Sequence, residues 1–407
     1  MHRLVLALSL KSSVVTDDSP LLLDVSRLIW RRWKGRLPTG IDRVCLAYLR
    51  HFGPRAQAVV QRNGFRRILE NEASQELFGL LGEGGTAFKP RLIAGALKNL
   101  GRANGRGGGR LYFNVGHTGL NSPGFRQWIA TARVRPVYLV HDLIPITHWQ
   151  FCRAGEADKH RDRMQTVLAT ATGVIVNSHA TLDELRAFAR TGNLPKPPAL
   201  VAPLGVDPPC VPTSVVPVEP PTFVTIGTIE GRKNHLLLME IWSRLIDRFG
   251  SNTPRLLIIG QRGWEAQEVF RLLDTSEKLR GHVVELGNCS DEELAGHLAS
   301  ATALLFPSRA EGYGLPLAEA LGARVPVIAS DLRAFRELGG NIPAYLEPLD
   351  SKAWEATILD YAGSTSAARE AQLERLASYR LPDWSSHFAK VERWLDTLGN
   401  ESEAKQH

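Results

Sequence analysis

Short apolar runs alternate along the chain with longer stretches whose apolar positions recur at helical spacing. In the first half these runs predict strands at LVLAL, PLLLD, RLYFNV, RPVYLV and TGVIVN, and in the second half at TFVTIG, RLLIIG, HVVELG, ATALLFP and VPVIAS. The intervening helices are predicted to begin near Gly40, Pro123, Gly155, His179, Lys233, Trp264, Asp291 and Leu315. Strands that alternate with helices favour an α/β protein with two doubly wound, Rossmann-like sheets.

The proline-rich stretch CVPTSVVPVEPP follows neither a helical nor an alternating pattern, which is typical of a stiff connector. We therefore predict one domain over residues 1–209, a linker over 210–221 and a second domain over 222–380. LPDWSSHFAKVERWLDTLG predicts a closing helix over 381–399 that returns to the first domain. The remaining residues, 400–407, are predicted to be a disordered tail.

Length and composition fit a globular protein of two domains, with 407 residues, 43% of them hydrophobic and 22% charged. No apolar run approaches the roughly 18 residues of a membrane span, and the opening MHRLVLALSL lacks a signal-peptide cleavage site. A cytoplasmic location is expected. The four cysteines are scattered singly, which indicates neither a zinc site nor a disulfide framework.

Charge is divided unevenly between the halves. Residues 1–200 carry 29 Lys and Arg against 14 Asp and Glu, whereas residues 201–407 carry 20 against 28. The basic half is compatible with nucleic acid, an anionic membrane surface or a phosphorylated substrate. A nucleic-acid-binding protein is disfavoured, because no helix-turn-helix, zinc-finger or RNP pattern is present and the acidic half would repel a polyanion.

A glycine-rich turn in EGYGLPLAE joins a strand to a predicted helix. Gly312 and Gly314 permit a tight turn and close approach of the backbone to a ligand. The N–H groups of the helix that begins at Leu315 attract an anion such as phosphate. Glu311 precedes this helix and Glu319 lies about one turn inside it, so both carboxylates can accept sugar hydroxyls from one ligand. The alternative is a solvated helix start with two surface glutamates.

A second strand end, in VTIGTIEGRKNH, places Arg232 and Lys233 at a helix start where they could neutralise a diphosphate. A solvated basic helix start is the alternative. In VYLVHDLIPITH a strand delivers His141 and Asp142 to its carboxyl end, where a structural hydrogen bond between them is the alternative. Another strand end, YFNVGHTGL, presents His117, either on an acceptor side or in a structural turn.

The Glu-x7-Glu pair, together with PTGIDRV, HDLIP and GTIEGRKNH, resembles the retaining, nucleotide-sugar-dependent glycosyltransferases of group 1, which have the GT-B fold of two Rossmann-like domains facing across a cleft. The resemblance is strongest over residues 222–346 and weak between about 52 and 110. It implies that residues 1–209 form the acceptor side and residues 222–380 the nucleotide-sugar side. Within the family, the chain resembles bacterial surface-polysaccharide mannosyl- and rhamnosyltransferases.

The resemblance also implies residue roles. Glu311 would hold the donor sugar and Glu319 the ribose, Arg232 and Lys233 would stabilise the leaving diphosphate, and His141 would lie beside the reacting sugar. Contacts with the donor, from backbone groups or the nucleobase side, would come from Gly40, Ile41, Gly227, Thr228, Gly260, Arg262, Gly312, Tyr313, Gly314 and Leu315. Asp142, His117 and Arg43 are expected on the acceptor side.

The expected function is retaining transfer of a sugar, with GDP-mannose as the first choice of donor, to a glycan or lipid-linked glycan in O-antigen, capsule or exopolysaccharide synthesis. No D-x-D triplet occurs, so neither a metal nor another cofactor is expected. GDP-rhamnose or a UDP- or dTDP-sugar are alternative donors, and an epimerase, a phosphorylase or a non-enzymatic basic scaffold are alternative functions. The sequence predicts no oligomeric state.

Two basic stretches suggest a peripheral membrane contact. RLIWRRWKGR, residues 27–36, combines cations with tryptophans, and GRANGRGGGR, residues 101–110, is a glycine-rich loop with arginines. Trp beside Lys or Arg is typical of a lipid headgroup surface, and a solvated rim with a mobile loop is the alternative.

Overall fold

A computed structural model describes residues 20–36, 38–83, 87–98, 105–208 and 219–403. The chain divides into two compact units, Met1–Val137 and Tyr138–His407. The predicted strand LVLAL and most of the predicted linker lie outside the described residues. The predicted domain boundary at that linker therefore stays a prediction.

The first unit combines four strands with five helices among its described residues. They are β1 (Leu21–Asp24), α1 (Ser26–Trp33), α2 (Gly40–Phe52), β2 (Ala56–Arg62), β3 (Phe65–Ile68), α3 (Asn71–Gly82), α4 (Phe88–Lys98), β4 (Leu111–Asn114) and α5 (Phe125–Ala132). Strand β5 (Arg135–Val140) spans the division between the units.

In the second unit, whose described residues end in three successive helices, strands and helices mostly alternate. They are α6 (Ile144–Thr147), α7 (Glu156–Thr170), β6 (Gly173–Val176), α8 (His179–Thr191), β7 (Ala199–Val201), β8 (Thr222–Ile226), α9 (His235–Phe249), β9 (Arg255–Ile259), α10 (Gln267–Thr275), β10 (Val283–Leu286), α11 (Asp291–Ala299), β11 (Ala303–Phe306), α12 (Leu315–Gly322), β12 (Val327–Ser330), α13 (Arg333–Gly339), β13 (Ala344–Leu346), α14 (Ser351–Ala362), α15 (Ala367–Leu376) and α16 (Trp384–Glu403).

The strands form two sheets, in the orders β3-β2-β1-β4-β5-β6-β7 and β10-β9-β8-β11-β12-β13. Strand β1 pairs in parallel with β2 and β4, and β8 pairs in parallel with β9 and β11. In each sheet the strand order reverses direction beside the first strand of that sheet, which is the doubly wound arrangement that the sequence predicted. Ligands of such sheets bind outside the carboxyl ends of the strands.

Alternate residues of the six-stranded sheet pack on opposite faces, as the pleat requires. Phe223 and Leu305 belong to a core with Trp242, while Val224 and Phe306 belong to the core on the other face. Helices therefore cover both faces, and this explains why these strands read as continuous apolar runs. The buried indole of Trp242 keeps its polar atom satisfied, because Nε1 donates to the Pro254 carbonyl at 2.8 Å.

Strand β3 pairs antiparallel with β2 through the two-residue turn Asn63-Gly64, a hairpin that is not among the elements predicted from the sequence. Both turn residues have positive φ, 48° and 87°. Asn-Gly is the pair that a two-residue hairpin turn of this kind prefers, so the signal was present in QRNGFRR.

Helix α16 begins three residues after the predicted position 381 and extends through Glu403. It therefore includes the first residues of the tail that was predicted to be disordered; residues 404–407 lie outside the described residues. The helix packs on the segment after β7, where a Cβ on Gly205 would lie 2.6 Å from the Trp384 Cα. The Val206 N–H also donates to the Pro382 carbonyl at 2.8 Å.

We expect Gly205→Ala to destabilise the protein, because the added methyl overlaps the backbone of Trp384 and neither segment can move without breaking the contact between residues 206 and 382. Overpacking of this kind costs about 1–3 kcal/mol, which lowers the thermal unfolding midpoint. Gly296→Ala is the matched control, since its Cβ meets nothing within 4 Å and it lies inside helix α11. An unchanged midpoint for Gly205→Ala would contradict this packing.

Candidate active site

The Glu311 carboxylate lies at the centre of a charged cluster beyond the ends of β8 and β11. Its Oε1 atom accepts from Arg232 Nη1 at 2.8 Å, from Lys233 Nζ at 2.5 Å and from Ser308 Oγ at 2.9 Å. Among the described residues, no donor reaches its other oxygen, Oε2. One oxygen is thus fully engaged by the protein while the second can accept from a ligand.

Arg232 is held between two carboxylates. Its Nη2 lies 2.7 Å from Glu230 Oε1, and its Nη1 also donates to the Ala310 carbonyl at 2.9 Å. Glu230 is 3% exposed, and burial raises the pKa of its carboxyl despite the opposing charges of Arg232 and Lys233. Glu230 is not among the site residues predicted from the sequence, although it belongs to the motif GTIEGRKNH.

Charge balance sets the protonation of the cluster. Burial opposes ionisation of Glu311, but the charges of Arg232 and Lys233 outweigh it and lower the pKa of the carboxyl to about 2. Burial lowers the pKa of Lys233, and the negative charge of Glu311 opposes this effect. Burial likewise acts against the charge on Arg232, but Glu311 and Glu230 raise its pKa overall.

The glycine turn after Glu311 lies against the carboxyl end of β5. A Cβ on Gly312 would overlap the His141 carbonyl oxygen and lie 2.8 Å from the Asp142 Cβ. Gly314 has a φ of 104°, and a Cβ there would meet Phe335 at 2.8 Å. Both positions therefore require glycine, and the structure brings His141 and Asp142 to the turn that carries Glu311.

A hydroxyl and amide cluster, Asn177, Ser178 and Thr181, joins these two segments. Asn177 Nδ2 donates to the His141 carbonyl at 2.9 Å, and Ser178 Oγ donates to the Gly312 carbonyl at 3.0 Å. Thr181 Oγ1 lies 3.3 Å from the Gly312 carbonyl. These three residues are not among those predicted from the sequence; the available signal was NSHAT, in which Ser178 caps helix α8 directly after β6.

The other residues predicted around the glycine turn are Tyr313, Leu315 and Glu319. Tyr313 turns its hydroxyl to the Leu204 carbonyl, 2.7 Å away, so only its backbone can serve a ligand on the turn. Leu315 is the first residue of α12, and Glu319 is 9% exposed on that helix. Helix α12 begins where the sequence predicted.

The turn after β8, in the motif VTIGTIEGRKNH, also contains a glycine with positive φ. Gly227 has a φ of 134°, with Lys233 Nζ 3.5 Å from where its Cβ would be. Gly260 packs directly on the Gly227 carbonyl, and Thr228 packs near Gly263. Arg262 is engaged by acids, with Nη2 2.6 Å from Asp274 and 2.7 Å from Glu285, while its side chain keeps 39% exposure.

Four predicted residues, Gly40, Ile41, Arg43 and His117, lie in the first unit. Gly40 and Ile41 begin α2, and Arg43 N donates to the Thr39 carbonyl at 3.0 Å. His117 has a positive φ of 55°. Their roles stay predictions.

The basic stretch 27–36 is largely committed to contacts within the first unit. Arg27 and Arg31 pair with the buried Asp42 at 2.7 and 3.2 Å. The Trp30 indole donates to the Gln61 carbonyl at 3.1 Å, and Arg32 donates to the Leu80 carbonyl at 2.6 Å. Of the stretch 101–110, only residues 105–110 are described.

Comparison with known proteins matches this site to a family. Residues 220–363, which include Glu230, Arg232, Lys233, Glu311 and Glu319, match the model of "Glycosyl transferases group 1". This segment is a glycosyl transferase group 1 domain. The group 1 domain covers the six-stranded sheet and both motifs of the charged cluster.

Curated relatives of the chain are bacterial mannosyltransferases. The serotype-specific mannosyltransferase WbdA of Escherichia coli is 28% identical over 221 residues, 49% of this chain and 26% of WbdA. The O-antigen chain mannosyltransferase B of Escherichia coli is 32% identical over 161 residues, 40% of this chain and 42% of that protein. The chain thus spans less than half the length of these relatives.

A solved structure, Anabaena HepE in complex with UDP-glucose, is similar over nearly the whole chain. The match covers 92% of this chain and 99% of HepE with a TM-score of 0.64, at 15% sequence identity. The GT-B fold predicted from the sequence is confirmed. No described helix is both long and apolar enough to cross a membrane.

The low pKa of Glu311 predicts a pH-dependent effect of Glu311→Gln. Because the pKa falls from 4.5 to about 2 on folding, the ionised carboxylate stabilises the fold above about pH 4.5, and this stabilisation is lost as the pH falls toward about 2. We expect Glu311→Gln to lower the thermal midpoint at pH 7, since it leaves Arg232 and Lys233 poorly compensated.

The difference in thermal midpoint between Glu311→Gln and the parent should narrow below pH 4.5. Glu268→Gln, which removes an exposed pair with Arg271, should change the midpoint little at any pH. A difference between Glu311→Gln and the parent that is independent of pH from 7 to 3 would contradict the paired, ionised carboxylate.

Proposed function

We propose that this protein is a retaining glycosyltransferase that moves a sugar from a nucleoside diphosphate donor to a glycan or lipid-linked glycan. The observation that carries the proposal is the Glu311 carboxylate, which gives one oxygen to Arg232 and Lys233 and leaves the other for a ligand. A carboxylate that can accept sugar hydroxyls thus lies within hydrogen-bond distance of two cations that can meet a diphosphate.

The proposed donor is GDP-mannose, and the proposed process is bacterial surface-polysaccharide synthesis. The names of the two mannosyltransferases support mannose as the transferred sugar, and the name of the O-antigen chain mannosyltransferase supports surface-polysaccharide synthesis. We propose that the protein acts in the cytoplasm, at the inner face of the membrane that holds a lipid-linked acceptor. Within the donor site, Glu319 is proposed to hold the ribose. The N–H groups of the glycine turn are proposed to bind the phosphates.

In the proposed reaction the bond between the anomeric carbon and the diphosphate oxygen breaks, and an acceptor hydroxyl attacks the same face of the sugar. The hydroxyl proton passes to the departing phosphate oxygen, so the configuration is retained and no protein nucleophile is needed. Arg232 and Lys233 stabilise the negative charge that grows on the leaving diphosphate, without a metal. His141 lies beside the reacting sugar, and Asn177, Ser178 and Thr181 fix its backbone to the glycine turn.

Nucleotide binding tests the donor site. A panel of GDP-, UDP- and dTDP-sugars is added without metal and the thermal midpoint is measured; a ligand at 100 times its Kd stabilises the fold by about 2.7 kcal/mol. We expect GDP-mannose to raise the midpoint of the parent but not of Glu319→Ala. Glu374→Ala, the same change at an exposed helical position, should respond like the parent. Equal stabilisation of Glu319→Ala would remove Glu319 from the donor site.

Turnover tests the leaving-group role of Lys233. We expect Lys233→Gln to lower kcat by about a hundredfold or more, as loss of one preorganised donor does in other enzymes. The exposed Lys352→Gln should keep the parental kcat. GDP release is measured with and without acceptor: acceptor-dependent release supports a transferase, whereas acceptor-independent conversion of the donor sugar would indicate an epimerase. An unchanged kcat for Lys233→Gln would refute the assigned role.

A further inference from the structure

Trp149 is 67% exposed, although it belongs to a segment anchored beside the charged cluster. This segment, residues 148–153, follows β5 and the short helix α6. It therefore begins a few residues after His141 and Asp142, whose backbone lies against the glycine turn of Glu311. An exposed indole at such a position has no part in the hydrophobic core.

The far end of the segment is fixed to the group 1 domain. A Cβ on Gly231 would lie 3.5 Å from the Phe151 ring, so Phe151 borders the turn that carries Arg232. The guanidinium of Arg309 lies 5.5 Å from the centre of the same ring, and Arg153 lies 4.9 Å from that of Trp264. The contacts on either side of Cys152 hold the segment in place.

The effects of nearby charges on the pKa of Cys152 also place this residue near the charged cluster. Burial raises the pKa of its thiol to about 11, and the charges of Asp142 and Glu230 add to this effect while Arg232 opposes it. Cys152 therefore lies within the field of the charged cluster. Trp149, three residues earlier, is exposed, and its carbonyl accepts a hydrogen bond from the Cys152 N–H at 3.0 Å.

The ring of Trp149 differs from those of its neighbours. The rings of Phe151 and Trp264 each make a cation–π contact with an arginine. Trp149 has no ring or cation partner among the described residues. Its neighbours can hydrogen-bond: Gln150 is exposed, and Thr147 Oγ1 lies 2.9 Å from His148 Nδ1. Burial lowers the pKa of His148, which keeps its ring neutral at pH 7.

We propose that Trp149 is the stacking platform for a sugar ring of the acceptor, so that the protein transfers to a glycan rather than to a simple alcohol. The proposal rests on the function proposed above. An indole offers a large, rigid apolar face with a polar edge, which matches the C–H face and hydroxyl rim of a pyranose. The flanking Gln150 and Thr147 supply polar groups for the hydroxyls.

A membrane contact is the other use of an exposed tryptophan. It is disfavoured here because α7, which follows the segment, has no excess of positive charge: Glu156 pairs with Arg163, and Asp158 pairs with Arg161. A helix without such an excess gains little attraction to an anionic lipid surface. The sugar platform therefore fits this neighbourhood better.

The test is saccharide binding to the full chain, measured by titration with α-linked mannotriose at saturating GDP. We expect Trp149→Ala to weaken mannotriose binding about tenfold, the loss of an aromatic contact of this size. Trp149→Phe should retain most of the affinity. Phe65→Ala removes an aromatic ring of similar exposure, 60%, in strand β3 and should bind like the parent. The Kd for GDP should be unchanged in all of them.

The proposal fails if Trp149→Ala binds mannotriose like the parent, or if it loses GDP affinity to the same extent. It also fails if the parent binds GDP but not mannotriose, or if Trp149→Ala instead loses binding to vesicles of anionic phospholipid. Failure of the parent to bind any nucleotide would overturn the proposed function itself, and GDP binding measured alone distinguishes that result.

Discussion

Two cations share one carboxylate oxygen in this protein, and much of the site depends on that interaction. Lys233 is 8% exposed, and its charge would be costly to bury without a partner. Glu311 compensates it and Arg232 together, with Glu230 as a second partner for Arg232. The paired parallel strands β8 and β11 deliver these residues from turns at their carboxyl ends. The positions of the charges are therefore set by the sheet.

The glycine turn after Glu311 has no bulky side chains at Gly312 and Gly314, so a ligand can approach the charged cluster there. Gly312 fits against the His141 carbonyl only because it lacks a side chain. Ser178 then holds the Gly312 carbonyl, and Asn177 holds the His141 carbonyl. Hydrogen bonds thus connect the ends of β5 and β6 with the turn after β11. A site preorganised in this way has little reorganisation left to perform when charge develops on a leaving group.

The sequence predicted the strands that are buried on both faces, because their apolar runs are continuous, as in TFVTIG and ATALLFP. It missed edge strands such as β3 and β13, whose partly exposed residues leave a weaker pattern. Helix α9 begins at His235 instead of Lys233, because Gly231–Lys233 form a short 3-10 turn and Asn234 adopts a φ of 58°. The motif residues were found by spacing, whereas Asn177, Ser178 and Thr181 act through contacts between segments distant in the chain, which spacing alone does not reveal. Glu230 lies only two residues from its partner Arg232 and was overlooked inside a motif that was otherwise recognised.

The central claim is that Arg232 and Lys233 are arranged to receive the second phosphate of a nucleoside diphosphate, and calorimetric titration with GDP and GMP tests it most directly. The account predicts that the parent binds GDP more tightly than GMP and that this preference is lost in Lys233→Gln while GMP affinity is kept. Equal affinity of the parent for GDP and GMP, or a preference that survives in Lys233→Gln, would contradict it.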